Sequence, residues 1–259
     1  MQAPNSRKWM PDIISQMPDL PGLALLVFVS CLAGVVRGFS GFGTAMIFLP
    51  MAALVLEPVW AVLALIGMDI FSPLPAVRRA ARDSKWRDLG LLLAATAVMV
   101  PVGLWTLTQI SPETYRYGVS AISLALVACL VLGLRYRSEP TVPLMVAAGG
   151  ASGFLGGAAG LPGPPVIILY MASHASVARV RATTLLFLVG FDFLFLGTFF
   201  ATGRFEPTPF LLGLCLGLPG AAGVWLGQLI FDPAREALYR NIAYGVVTCA
   251  ALLGLPIWD

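Results

Sequence analysis

The chain has 259 residues, 58% of them hydrophobic and 11% charged, with a net charge of +3. A soluble globular domain carries about 25% charged residues, so that class is excluded. The small positive surplus fits basic loops beside a membrane rather than a nucleic-acid surface. A bilayer is the solvent this composition requires, and the predicted fold class is an all-α integral membrane protein.

Residues 1–19 form a largely polar N-terminal segment with Pro4, Pro11 and Pro18, which does not read as a cleavable secretory signal. One transmembrane domain is expected over 20–259. Its first apolar block, 20–56, is interrupted at Gly34-Val-Val-Arg-Gly38-Phe-Ser-Gly41-Phe-Gly43. Block two, 59–77, carries Asp69, and a basic stretch follows at 78–88. Residues 89–108 and 118–134 supply two further spans, about the 20 residues a bilayer needs. The fifth block, 141–173, is broken again at Gly153-Phe-Leu-Gly-Gly157-Ala-Ala-Gly160-Leu-Pro162-Gly163-Pro164-Pro165. Spans at 183–202 (with Asp192), 209–230 and 241–257 complete the chain.

The order of these blocks repeats. Gly34, Gly38 and Gly41 recur 119 residues later as Gly153, Gly157 and Gly160. Gly67-Met-Asp69 returns as Gly190-Phe-Asp192, Gly103-Leu-Trp105 as Gly223-Val-Trp225, and Cys129 as Cys249. Two homologous halves are therefore expected, 20–135 and 141–257, each a glycine- or proline-broken element followed by three transmembrane helices. Lysine and arginine in short loops mark the cytoplasmic side. If each broken block is a hairpin, eleven lie inside and four outside; if each crosses once, the counts are ten and five. Both arrangements stay open on charge. The hairpin is preferred, because it suits the short arms 44–56 and 164–173 and makes the halves inverted repeats with both breaks near the midplane.

Unwound backbone is tolerated in a membrane only where protein buries it or it lines a cavity. Paired breaks in corresponding halves therefore point to a binding site. Half-helices starting at Thr44 and Pro164 present free N–H groups and the positive end of a dipole, which favour an anion. The candidate substrate-binding residues are Arg37, Gly38, Ser40, Gly41, Gly43 and Thr44 at the first break, with Gly160, Leu161, Gly163 and Pro164 at the second. Arg37 would clamp an oxyanion with its planar guanidinium; the bland alternative is a structural pair with Asp69. Its counterpart Gly156 has no charge, so the site is asymmetric. Asp69 and Asp192, acids inside apolar helices, are the candidates for coupling or gating. Thr183 and Thr184 are weaker candidates for the same cavity, and His174 reads as a loop residue.

Trp105 and Trp225 are expected to pack helices, while Trp9, Trp60, Trp86 and Trp258 sit near block ends as interfacial anchors do. Cys31, Cys129, Cys215 and Cys249 lie in apolar blocks without metal or redox spacing and read as small buried hydrophobes.

Arg37-Gly-Phe-Ser-Gly-Phe-Gly43 followed by Thr-Ala-Met-Ile-Phe-Leu-Pro50 resembles the first signature of the TauE/SafE family of membrane permeases. Gly157-Ala-Ala-Gly-Leu-Pro-Gly-Pro-Pro-Val-Ile-Ile-Leu-Tyr170 resembles its second. The likeness extends over nearly the whole chain, through the basic loop with Trp86 and Ala182-Thr-Thr184. It implies a carrier of sulfite, sulfonates or other sulfur-containing anions, with Gly38–Thr44 and Gly160–Pro165 along the anion path. Two departures would reshape the pocket: Phe42-Gly43-Thr44 where many members have a glycine run, and Pro162 where a glycine is common.

The expected function is a secondary transporter of a small sulfur-containing anion in a multi-pass cell membrane, a bacterial inner membrane by resemblance. Its partners are that anion and the lipid bilayer, with no nucleic acid and no cofactor; a homo-oligomer is compatible with it. No nucleotide-binding G-x-x-x-x-G-K-[ST] occurs, so a gradient must drive transport. A passive anion channel is the alternative. An intramembrane serine protease, suggested by Gly150-Ala-Ser-Gly153, lacks a downstream helix-borne histidine to activate Ser152.

Overall fold

A computed structural model describes residues 18–41, 43–69, 74–132, 141–171 and 177–257. Expectations about residues 1–17, Arg135, Arg137, His174 and Trp258 fall outside these. The described residues are mostly helical, with no strand among them. In chain order the helices are α1 (Leu20–Ser40), α2 (Thr44–Ala52), α3 (Pro58–Asp69), α4 (Leu74–Asp83), α5 (Trp86–Leu107), α6 (Pro112–Val131), α7 (Val142–Ala159), α8 (Gly163–Met171), α9 (Val177–Ala201), α10 (Pro207–Ile230) and α11 (Glu236–Leu253). Six are long and apolar enough to cross a membrane: α1, α5, α6, α7, α10 and the Ala182–Ala201 part of α9.

Helix starts follow local chemistry. Asp19 caps α1 by accepting from the Gly22 N–H at 2.9 Å, and Pro21 occupies the first turn, where no N–H is needed. Ser111 caps α6 in the same way, with Thr114 N at 3.2 Å and Pro112 behind it. The basic stretch 78–88 is not simply a loop: α4 is helical to Asp83 and α5 begins at Trp86. The reason is amphipathicity. Ala80 is buried, and Val77 and Ala81 pack against the apolar cluster it belongs to, while Arg78 and Arg82 stay exposed.

Main-chain approach through glycine sets the packing. A methyl on Gly34 would lie 2.2 Å from the Gly220 carbonyl oxygen, and one on Gly223 2.2 Å from that of Cys31. The α1–α10 interface is thus a backbone-to-backbone contact, as small residues allow in membranes. Gly103 against Phe154 and Gly157 against Val100 do the same for α5 and α7. Gly67 and Gly213 do it for α3 and α10. Each of these contacts joins a helix of 20–135 to one of 141–257. The two sequence halves therefore interlock, giving one bundle of α1, α3 and α10 and another of α5, α7 and α9.

Residue order along these contacts gives direction. Cys31 meets Gly223 and Val35 meets Gly227; Ala64 meets Gly213 and Met68 meets Gly217. Both α1 and α3 therefore run parallel to α10, and the chain must turn back between them. The nine residues of α2, about 13 Å at 1.5 Å per residue, together with the turn at 53–57, make that return. The first broken block accordingly begins and ends at the same end of the bundle. Parallel α5 and α7 complete a pattern compatible with inverted repeats.

Several aromatic and thiol expectations need correction. Trp60 is no interfacial anchor: it is 5% exposed and its indole N–H donates to Glu206 Oε2 at 2.6 Å, joining the starts of α3 and α10. Trp105 and Trp225 project outward, each more than half exposed, because the glycine two residues earlier makes the helix contact instead. Cys215 and Cys249 are exposed and Cys31 and Cys129 half-buried. A thiol is apolar enough to face lipid, so burial is not required of it.

Candidate functional site

Both breaks are present and capped alike, but they are shorter than predicted: α1 runs unbroken through Gly34 and Gly38, and α7 through Gly153 and Gly157, because those glycines serve close helix packing. α1 ends at Ser40 with Gly41 left-handed (φ 80°, ψ 1°), its N–H donating to the Arg37 carbonyl at 2.8 Å. α7 ends at Ala159 with Gly160 left-handed (φ 71°, ψ 17°), its N–H donating to the Gly156 carbonyl at 2.8 Å. Glycine adopts this conformation without the Cβ penalty. Gly43 (φ 102°) then opens α2, and its carbonyl accepts from Ile47 N at 3.1 Å. The N–H groups of the first turn of α2 have no intrahelical acceptor.

Arg37, one turn before the first break, reaches across it. Its Nη1 donates to Asp69 Oδ1 at 2.6 Å and lies 3.5 Å from Thr44 Oγ1, the first residue of α2. The Arg37 and Asp69 side chains are 20% and 22% exposed. Beside them is a cavity of about 10 Å³, lined in part by Ser30, Arg37, Thr44, Asp69, Gly217 and Gly220. That is room for about one water. The bland alternative for Arg37, a pair with Asp69, is therefore real, yet the pair borders a cavity at the start of a half-length helix.

The other candidates divide. Gly38 packs against α10, where a methyl would meet the Val224 carbonyl oxygen at 2.4 Å. Ser40 donates to the Val36 carbonyl at 2.6 Å. Gly41 is exposed, with no described residue within 4 Å of its missing side chain, so this cap is open where the second is not. The second break is sealed: Gly160 sits against Leu49 of α2 and Val62 of α3, and Leu161 is buried. Gly163 stands beside Ile167 and Leu188. Pro164 lines a different space, an apolar groove of about 670 Å³ between α6, α7 and α8 that also contains Cys129. α2 and the end of α11 instead pack together at Pro50 and Gly254.

Asp192, half-buried on α9, makes no hydrogen bond or ion pair among the described residues and lies within electrostatic reach of Asp69 and Arg37. The asymmetry predicted at Gly156 has a structural counterpart. A methyl there would lie 2.3 Å from Phe191 Cε2, so a ring fills the place a guanidinium takes in the other half. Thr183 is buried away from the cavity with its hydroxyl unpartnered among the described residues. Ser152 is likewise fully buried.

Sequence reading missed the α10 wall of the cavity: Gly217, Gly220, Ala221 and Val224. The signal was there, in the spacing of Gly213, Gly217, Gly220, Gly223 and Gly227, which marks one close-packed helix face.

Replacing the capping glycines separates backbone strain from crowding. Gly41→Ala meets no neighbour, so only its left-handed conformation opposes the methyl, about 1–2 kcal/mol. Gly160→Ala adds a 2.8 Å clash with Leu49 Cδ1. Thermal unfolding in detergent is expected to rank Gly160→Ala least stable, then Gly41→Ala, then Gly41→Asn, since asparagine tolerates this region better.

A family model described as Sulfite exporter TauE/SafE matches residues 26–253. No curated protein and no solved structure matches the chain significantly.

Proposed function

We propose that this chain, which belongs to the TauE/SafE sulfite exporter family, is a secondary transporter of sulfite or a small organosulfonate, working by alternating access. The family is one of membrane transporters, and several apolar helices span the length a multi-pass protein needs. One observation carries the assignment: a guanidinium on a helix long and apolar enough to cross a membrane, held at the free N–H end of the short helix α2 and bordering a cavity. An oxyanion is what a planar guanidinium, a hydroxyl and unpaired N–H groups jointly bind.

In this reading Arg37 and Thr44 contact the anion, with Gly41 and Gly43 keeping the approach free of side chains. Gly38, by its packing, positions α1. Gly160, Leu161 and Gly163, sealed against their neighbours, form the second wall, which must move for the site to open on that side, while Pro164 faces the separate apolar groove. Asp69 and Asp192 couple transport to an ion. A cavity the size of one water does not admit a sulfonate, so binding requires the bundles to part. An open cap at Gly41 and a sealed Gly160 support access from one side at a time.

Flux of labelled sulfite and of labelled isethionate into proteoliposomes tests the assignment. Saturable uptake of at least one, inhibited by the other and not by acetate, is the expected result. No flux of any sulfur anion would sink it, and unitary currents in a planar bilayer would replace the carrier by a channel.

A further inference from the structure

The groups an anion needs are already engaged. Arg37 Nη1 is held by Asp69 Oδ1 at 2.6 Å, and the space beside the pair is about 10 Å³. A sulfonate reaches the guanidinium only by displacing the carboxylate.

The charges around the site are few. α1 contributes Arg37, α3 Asp69 and α9 Asp192. From α2 comes Thr44, and from α10 Gly217, Gly220, Ala221 and Val224, none of which titrates. Among the described residues the site thus has one cation and two carboxyl groups. An anion taking Arg37 would leave Asp69 without its partner, near a second acid, Asp192, that has none among the described residues. An uncompensated charge in a largely buried, apolar setting is costly. A proton on Asp69 removes the competitor and the excess charge in one step.

We infer that Asp69 is a proton-controlled competitor for Arg37, so that anion and proton bind together and cross together as symport. This rests on the anion site proposed above. The cycle balances: Asp69 takes one proton as the anion displaces it from Arg37, and the proton leaves as the anion departs and the ion pair re-forms. Reciprocity follows, since whatever the proton does for the anion, the anion does for the proton. Anion affinity therefore rises as pH falls, up to tenfold per pH unit where one proton accompanies each anion. An inward proton gradient drives such a carrier toward uptake.

Isethionate keeps its sulfonate charged across the working pH range, so it reports the protein's titration rather than its own. Its affinity is measured at several pH values on the purified full chain, together with sulfite at one pH. In weak buffer a pH dye counts protons. The expected results are a tightening of up to tenfold per unit of acidification and uptake of about one proton per isethionate bound. In Asp69→Asn, which cannot ionise, the slope flattens and binding at alkaline pH matches that of wild type in acid. A merely structural Asp69 would not move the slope. Binding or flux of isethionate with no pH slope and no proton uptake in wild type overturns the symport while leaving the transporter standing. An Asp69→Asn protein with the wild-type slope does the same. A chain that takes neither probe overturns both readings, and the wild-type proton count decides the matter even if the variant fails to fold.

Discussion

Arg37→Ala is expected to remove saturable sulfur-anion uptake. A hydrogen bond to a charged group contributes about 1.5–3 kcal/mol, so losing the guanidinium weakens anion affinity by roughly 10- to 150-fold. The same change strips Asp69 of its partner at 2.6 Å and lowers stability. Removing one member of a buried pair costs about 3–5 kcal/mol. This pair is about one-fifth exposed, so the loss is expected at or below the lower end. The double variant Arg37→Ala/Asp69→Ala separates the two effects. It should regain thermal stability, having no orphaned charge, while uptake stays absent. Arg37→Lys keeps the charge but not the planar fork, and should fall between. Wild-type uptake in Arg37→Ala would remove the site at the first break.

Gly34→Ala is expected to stop the protein from folding to its native state. The added methyl would lie 2.2 Å from the Gly220 carbonyl oxygen and 3.1 Å from Val224 N. Both are main-chain atoms of α10, and neither can swing aside as a side-chain end would. Relief requires α1 and α10 to separate along the interface that joins the sequence halves, which also carries Arg37 away from Asp69. Overpacking in a well-packed core costs about 1–3 kcal/mol, and more where backbone must shift. Gly118→Ala and Gly245→Ala, with nothing within 4 Å of the new methyl, are the controls. Each should be neutral or slightly stabilising, since alanine suits a helix interior better by roughly 0.5–1 kcal/mol. Yield of monodisperse protein and its midpoint of thermal unfolding in one detergent decide the comparison. Equal values for Gly34→Ala and Gly118→Ala would show that the α1–α10 contact is looser than its geometry.

The two classes of glycine in this chain mark the boundary of what sequence reading resolves. Gly41 and Gly160 were legible as breaks, because each closes an apolar run where a second, shorter helix follows, and both are left-handed caps. Gly38 was grouped with them by proximity. Its place against Val224 and Gly227 depends on a helix about 190 residues away, which no local pattern reveals. Trp60 shows the same limit. Its position near a block end suggested the membrane interface, whereas Glu206, distant in sequence, supplies the partner that lets the indole be buried.

The sequence by itself determined the solvent, the number and order of the apolar blocks, the two breaks and the acids and arginine that stand among them. These follow from composition, periodicity and glycine chemistry, which act over a few turns of chain. Only the tertiary structure decided that the halves interlock through α1–α10 and α5–α7, that α2 runs back toward the start of α3, and that Arg37 faces Asp69 rather than open space. Those outcomes depend on which helix backbones come within touching distance. In a bilayer, where burial in lipid drives no particular pairing, shape complementarity between distant small-residue faces makes that choice.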